Sequence, residues 1–216
     1  MKVGTDGVLL GAWANVDHAS RVLDVGAGCG LIALMLAQRF PQIRFTALEL
    51  DAEAAEQARD NVEKSPFSSQ IEVVQGDFSL YSSGPFDAIV SNPPFFEEDL
   101  LPPDAARANA RHTSSALNFE NLVAGSVRLL VDGGTLSVII PKNAQNRFHS
   151  ICNKHGLTLL RATDVRTVVR KAPKRVMLHF AKCSNAASAV VRDEIILMED
   201  GKRSAAYTHL CREFYL

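Results

Sequence analysis

The sequence predicts an α/β fold with a mostly parallel sheet covered by helices on both faces, and three observations carry this. Short apolar runs alternate with helical stretches from residue 21 to residue 141. The turns between them are too short for a separate module, so successive strands must be joined by crossover helices. The apolar runs also end on polar or glycine-bearing residues, where open α/β sheets hold their ligands.

Each element follows in order. "RVLDV" (21–25) reads as a buried strand that runs into the turn "GAGCG", and "LIALMLAQRF" is a helix stopped by Pro41. "IRFTALEL" (43–50) is the second strand, and the Ala/Glu-rich 51–65 is a helix starting on Asp51. "IEVVQ" (71–75) and "FDAIVS" (86–91) are strands three and four, the latter followed by a polar, proline-bearing loop to about residue 117. A helix over 118–130 is expected to end at Asp132-Gly133-Gly134, before a fifth strand, "TLSVII" (135–140). Beyond a helix closed by Gly156, the rhythm changes. "LTLLRATDVRTV" and "RVMLHFA" (175–181) are strands joined by the short basic "RKAPK", which favours antiparallel pairing. "EIILM", the turn "EDGK" and a terminal helix or tail complete the chain.

The bulk properties suit one packed unit. At 216 residues, 47% hydrophobic and 22% charged, a single domain over 1–216 is expected. Nothing at the N-terminus resembles a secretory signal, and no run reaches the roughly 18 apolar residues of a membrane helix. Cys29, Cys152, Cys183 and Cys211 lie far apart without ligand spacing, so reduced cytoplasmic thiols and no metal site are expected. The net charge of −1 hides an asymmetry. Residues 1–140 hold nine Lys/Arg against eighteen Asp/Glu, whereas residues 141–182 hold ten Lys/Arg against Asp164 alone. One exposed Lys is an ordinary solvated residue, but ten cations in 42 residues predict a surface facing a polyanion.

The glycine turn lies between strand and helix, and its spacing is G-x-G-x-G rather than the G-x-G-x-x-G of dinucleotide folds. Asp24 stands two residues before Gly26. An acid there can hold an amino group and would repel a pyrophosphate. Glu49 ends the second strand, where a carboxylate can accept both hydroxyls of a ribose; dinucleotide folds share that feature. Asp77 follows the third strand and can accept from an adenine amino group, with Phe78 beside the ring. Any one of these acids could equally be a strand-end or helix-cap residue; their register at successive strand ends favours a ligand.

The set D-x-G-x-G-x-G, E, D and then Asn92-Pro93-Pro94-Phe95 resembles the class I S-adenosylmethionine methyltransferases over residues 21–141. The resemblance implies a Rossmann-like, mostly parallel seven-stranded sheet with an antiparallel strand near its C-terminal end. It implies S-adenosyl-L-methionine as cofactor, S-adenosyl-L-homocysteine as product, and cofactor contacts from Asp24, Gly26, Ala27, Gly28, Gly30, Glu49, Leu50, Asp77, Phe78 and Asn92.

"SNPPFF" (91–96) carries the chemistry. An exocyclic aromatic amine is a poor nucleophile because its lone pair is delocalised into the ring. Two acceptors, the Asn92 side-chain oxygen and the Pro93 carbonyl, can take both N–H hydrogens and aim that lone pair at a methyl donor. These bonds strengthen as the nitrogen becomes tetrahedral and gains positive charge, so they favour the transition state. Pro93 and Pro94 restrict the backbone that presents the acceptors. Phe95 offers a face to a base taken out of its stack, and Phe96 is either a second such face or core.

"MKVGTDGVLLGAWA", "SNPPFF", "APKRVML" and "AYTHLCREFYL" together resemble the bacterial valine-tRNA adenine-N6 methyltransferases over nearly the whole chain. That likeness implies a monomer acting on tRNA in the cytoplasm, with N6 of adenine 37 in the anticodon loop as methyl acceptor. It implies that residues 1–20 cap the cofactor, with Thr5 and Asp6 as contacts. It also implies that the basic 141–182 part meets RNA through Lys142, Arg166, Arg170, Lys171, Lys174 and Arg175. The family commonly has an aromatic-rich segment before "MKVGTDG", so Met1 is expected to be an internal start or a truncation. The motif also ends in Phe where Tyr is common. The alternatives are rRNA guanine-N2 methylation, release-factor glutamine-N5 methylation and a non-enzymatic cofactor-binding scaffold. The long basic segment disfavours the glutamine substrate, and the intact N-P-P-F disfavours the scaffold. His112 is left without a role.

Overall fold

The computed structural model describes residues 4–94, 117–182 and 189–214. The strands are β1 (Arg21–Val25), β2 (Arg44–Glu49), β3 (Ile71–Gln75), β4 (Phe86–Ser91), β5 (Leu130–Pro141), β6 (Leu157–Val168), β7 (Arg175–Lys182), β8 (Val191–Glu199) and β9 (Lys202–Arg203). They form one sheet in the order β3-β2-β1-β4-β5-β7-β6-β8-β9. The first five run parallel, and β7 is antiparallel to both of its neighbours, β5 and β6. Among the described residues nine strands stand where seven were expected, because the "EIILM" stretch extends into β8 alongside β6 and turns back into the two-residue β9. That addition lies at the edge of the sheet, where only Ile195 of β8 is buried.

The helices are α1 (Thr5–Trp13), α2 (Leu31–Arg39), α3 (Ala52–Glu63), α4 (Phe119–Leu129), α5 (Gln145–Lys154) and α6 (Ala205–Leu210). Side-chain alternation along the central strands divides the core in two. Val22, Ala88, Val90, Ile139 and Met177 face α1, α2 and the C-terminal Tyr207 and Cys211. Leu23, Ile89, Leu136, Val138 and Leu178 face α4 and α5. Among the described residues no helix is long and apolar enough to cross a membrane.

Two local expectations change. Residues Gly7 to Trp13 of α1 are all buried, so this helix has no polar face and no amphipathic stripe that would reveal it as a helix in the sequence. Helix α4 stops at Leu129, and Asp132-Gly133-Gly134 lie inside β5 rather than between helix and strand. There Phe86 faces Leu130 while Ala88 faces Thr135, so β5 bulges by several residues against β4. The bulge needs its glycines: Gly133 has φ +78°, and a Cβ on Gly134 would come within 2.9 Å of the Val131 carbonyl.

Candidate active site

Three adjacent strands end at one level. Val25 pairs with Leu48 of β2 on one side and with Ser91 of β4 on the other. The residues that follow these positions, Gly26, Glu49 and Asn92, therefore share the C-terminal edge of the sheet. Parallel strands place their following turns on a common edge, and this sheet puts the glycine loop in the middle of it.

The loop is tied down by its own backbone. Gly26 and Ala27 N–H groups donate to the Leu48 carbonyl at 2.9 and 3.1 Å. Gly26, Gly28 and Gly30 have φ of +69°, +56° and +80°, a region costly for side chains with a Cβ. Gly30 also opens α2, where an added Cβ would lie 3.5 Å from that of Ala58. Glu49 holds the apex: one carboxylate oxygen accepts from Gly28 N–H at 2.7 Å and the other from Asp51 N–H at 3.0 Å. Each oxygen keeps lone-pair capacity for a ligand hydroxyl. Leu50, the next residue, is 47% exposed, an aliphatic face beside the acid.

Asp24 is 1% exposed. Its Oδ2 accepts from Ala33 N–H at 3.1 Å in the first turn of α2, so it caps that helix where Gly30 cannot. Its Oδ1 is buried and has no partner among the described residues. Burial, opposed by the Ala33 bond and reinforced by the charge of Glu49, pushes its pKa up to about 7. A buried acceptor with no donor is destabilising unless a ligand supplies one. An amino group fits that position in charge and hydrogen-bonding sense.

Asn92 repeats the pattern. Its Oδ1 is buried without a partner among the described residues, at the end of the strand beside the glycine loop. Ser91 fixes that position by donating its hydroxyl to the Val25 carbonyl at 2.8 Å. Pro93 is buried and Pro94 exposed, while Phe95 and Phe96 lie outside the described residues, as does His112.

The remaining expected contacts are spread more widely. Asp77 Oδ1 accepts from both the backbone and the hydroxyl of Ser79, at 2.8 and 2.7 Å, which fixes the turn after β3. Phe78 is 6% exposed and sits in the α4 side of the core. Thr5 is exposed at the start of α1, and Asp6 Oδ2 accepts from Arg175 Nε at 2.8 Å. Sequence reasoning did not single out Ser91, whose only signal was a small polar residue at the end of an apolar strand. Nor did it find Gly125, where an added Cβ would overlap the Phe78 ring.

The six cations expected to meet RNA fall into two groups. Lys142 pairs with Asp164, Arg166 with Glu194 at 2.9 Å, and Arg175 with Asp6. Arg170, Lys171 and Lys174 are exposed in the turn between β6 and β7. That turn rises from the same edge as the glycine loop, because Arg175 faces Pro141 at the C-terminal end of β5.

Residues 4–156 match a family described as "Methyltransferase small domain". A tRNA1(Val) (adenine(37)-N6)-methyltransferase of Bacteroides thetaiotaomicron is 44% identical over all of this chain and 91% of its own length. One of Aeromonas hydrophila is 42% identical over the same shares. A solved structure described as a predicted O-methyltransferase from Agrobacterium tumefaciens superposes with TM-score 0.77 at 23% identity, covering 96% of both chains. A T. thermophilus 16S rRNA N2 G1207 methyltransferase in complex with AdoMet and guanosine superposes at TM-score 0.58 and 20% identity, covering 84% of this chain and 44% of that one. These two likenesses speak to the fold. By the family match and by its full-length relatives, the chain belongs to the tRNA1(Val) (adenine(37)-N6)-methyltransferase family of class I methyltransferases.

Proposed function

We propose that this protein transfers a methyl group from S-adenosyl-L-methionine to N6 of adenine 37 in the anticodon loop of tRNA1(Val), in the cytoplasm. The observation that carries the reading is the Asn92 side-chain oxygen, buried and without a donor among the described residues, at the end of the strand next to the glycine loop. The names of the full-length relatives support the choice of nucleic acid and base.

Bound cofactor supplies an electrophilic methyl on a sulfonium. The chain supplies the rest. Asp24 Oδ1 would accept from the cofactor's amino group, Glu49 from its ribose hydroxyls, and Leu50 would offer an aliphatic face to its base. Asn92 Oδ1 and the Pro93 carbonyl accept the two N–H hydrogens of the adenine amine and turn its lone pair out of conjugation. Preorganised acceptors of this kind contribute on the order of 3–4 kcal/mol to a barrier. The target base must leave its stack to reach the turn, which is least costly in a single-stranded loop.

The test is incubation with labelled S-adenosylmethionine and, in turn, total tRNA, rRNA and a release factor, followed by digestion. N6-methyladenosine from tRNA1(Val) is expected. Label in guanine or glutamine would overturn the proposal.

A further inference from the structure

The charge count treats Lys142, Arg166, Arg170, Lys171, Lys174 and Arg175 as one class, and the structure separates them. Lys142 Nζ is held by Asp164, opposite it across the base of the β6–β7 hairpin. Arg166 Nε lies 2.9 Å from Glu194, and its guanidinium also donates to the Val169 and Lys171 carbonyls at 3.2 and 3.4 Å. Arg175 joins Asp6 and donates to the Lys174 carbonyl at 3.2 Å. Backbone bonds from Lys142 N–H to the Lys174 carbonyl and from Lys174 N–H to the Val165 carbonyl, both 3.0 Å, close the base of the hairpin. Arg170, Lys171 and Lys174 are exposed, and among the described residues their side chains have no partner. Val169 beside them is 59% exposed, so the tip stands clear of the body.

We infer that Arg170, Lys171 and Lys174 form the surface that meets the RNA phosphates, while Lys142 and Arg175 brace that surface toward the cofactor side of the sheet and Arg166 ties it to the outer strand β8. The inference rests on the proposed RNA substrate. A cation already neutralised by a carboxylate releases little counterion when a phosphate approaches, because the approach must first break an ion pair. An unpaired exposed cation releases its counterions in full.

The order of strands gives the surface its place. From β2 to β6 the functional edge presents Glu49, the glycine loop, Asn92, Lys142 and then the hairpin tip. Adjacent strands are about 4.8 Å apart, so the β7 side of the hairpin stands roughly 10 Å from the strand of Asn92. That spacing suits a strand whose target base enters the turn while neighbouring phosphates rest on the tip. The three braces fix the tip in this register, and Arg175 does so through α1, which packs against both α2 and β5.

The test is the salt dependence of binding of the full chain to a tRNA1(Val) anticodon stem-loop. Arg170→Gln, Lys171→Gln and Lys174→Gln should each reduce the slope of log K against log salt by about 0.7–0.9, and the triple variant by about 2–3. Lys142→Gln and Arg166→Gln should lower the melting temperature and leave the slope unchanged. Cofactor binding reports that each variant is folded. Braces that flatten the slope as much as tip residues, or a triple tip variant with the wild-type slope, would overturn the inference. Methylation by the unaltered protein separates the two claims. If it labels no tRNA, the proposed function fails; if it labels tRNA while the tip variants keep their slope, the inference alone fails.

Discussion

Ser91 Oγ donates to the Val25 carbonyl across 2.8 Å, where β4 and β1 leave the sheet together. Both residues are buried and paired in register. The bond joins the strand that carries the N-P-P turn to the strand that carries the glycine loop. On the proposed function, methyl donor and acceptor would be positioned from one rigid seam, and small displacements of either would be felt in the rate.

Asn92→Ala tests the acceptor at that seam. Removal of one preorganised hydrogen-bonding group is expected to lower kcat by about 10²–10³-fold. Cofactor affinity should fall by much less, because Asp24, Glu49 and the glycine loop remain. Single-turnover methylation beside calorimetric titration of the cofactor reads both. A loss confined to cofactor affinity would assign Asn92 to the cofactor and leave the amine without its acceptor.

Asp24 makes a prediction about pH. Its folded pKa of about 7 lies above the ordinary carboxylate value because burial opposes its charge. Between those two values the folded state binds more protons than the unfolded state, so this group's contribution to stability declines as pH rises from about 4 to about 7. A bound amino cation favours the ionised acid, so the cofactor-induced rise in melting temperature should grow over that same interval. Asp24→Asn should flatten the dependence. Thermal melts with and without cofactor at pH 5, 6 and 7 measure it, and a shift independent of pH would separate Asp24 from the amino group.

Gly125→Ala should disturb a site it does not touch. The new Cβ would overlap the Phe78 ring, which is buried and cannot swing into solvent. Overpacking of this kind costs about 1–3 kcal/mol. Because Phe78 follows Asp77, weaker cofactor binding should accompany a lower melting temperature. An unchanged melting temperature would show that α4 yields instead.

Asp6 and Arg175 lie 169 residues apart and meet at 2.8 Å with both side chains partly buried. A double-mutant cycle with Asp6→Asn and Arg175→Gln should give a coupling of about 1 kcal/mol in stability. Asp6→Asn should also steepen the salt dependence of anticodon stem-loop binding, because Arg175 then loses the carboxylate that neutralises it. If Asp6→Asn lowers cofactor affinity alone, the residue serves the cofactor directly and the brace is incidental.

Much of this molecule was legible before folding was considered. Strand ends announce themselves through short apolar runs, and Asp24, Glu49, Asp77 and Asn92 stand out because each lies at or just beyond the end of such a run. The G-x-G-x-G spacing marked a glycine turn between strand and helix, and Gly26, Gly28 and Gly30 adopt positive φ there. These are local properties, set by a few neighbouring residues, and a linear chain displays them directly. Helix α1 escaped notice because it is buried on every side, and the bulge at Gly133 and Gly134 looked like a helix stop because glycine serves both ends.

What required the tertiary structure was every pairing between distant residues. Charge along the chain located the basic segment but could not divide it, since Asp6, Asp164 and Glu194 become partners of Arg175, Lys142 and Arg166 only when the sheet brings them together. The burial that leaves Asp24 Oδ1 and Asn92 Oδ1 without donors among the described residues is equally a product of packing. A residue's type and its place on a strand are written in the sequence. Whether its charge is neutralised, and whether its oxygen is dry, depend on what the rest of the chain packs against it.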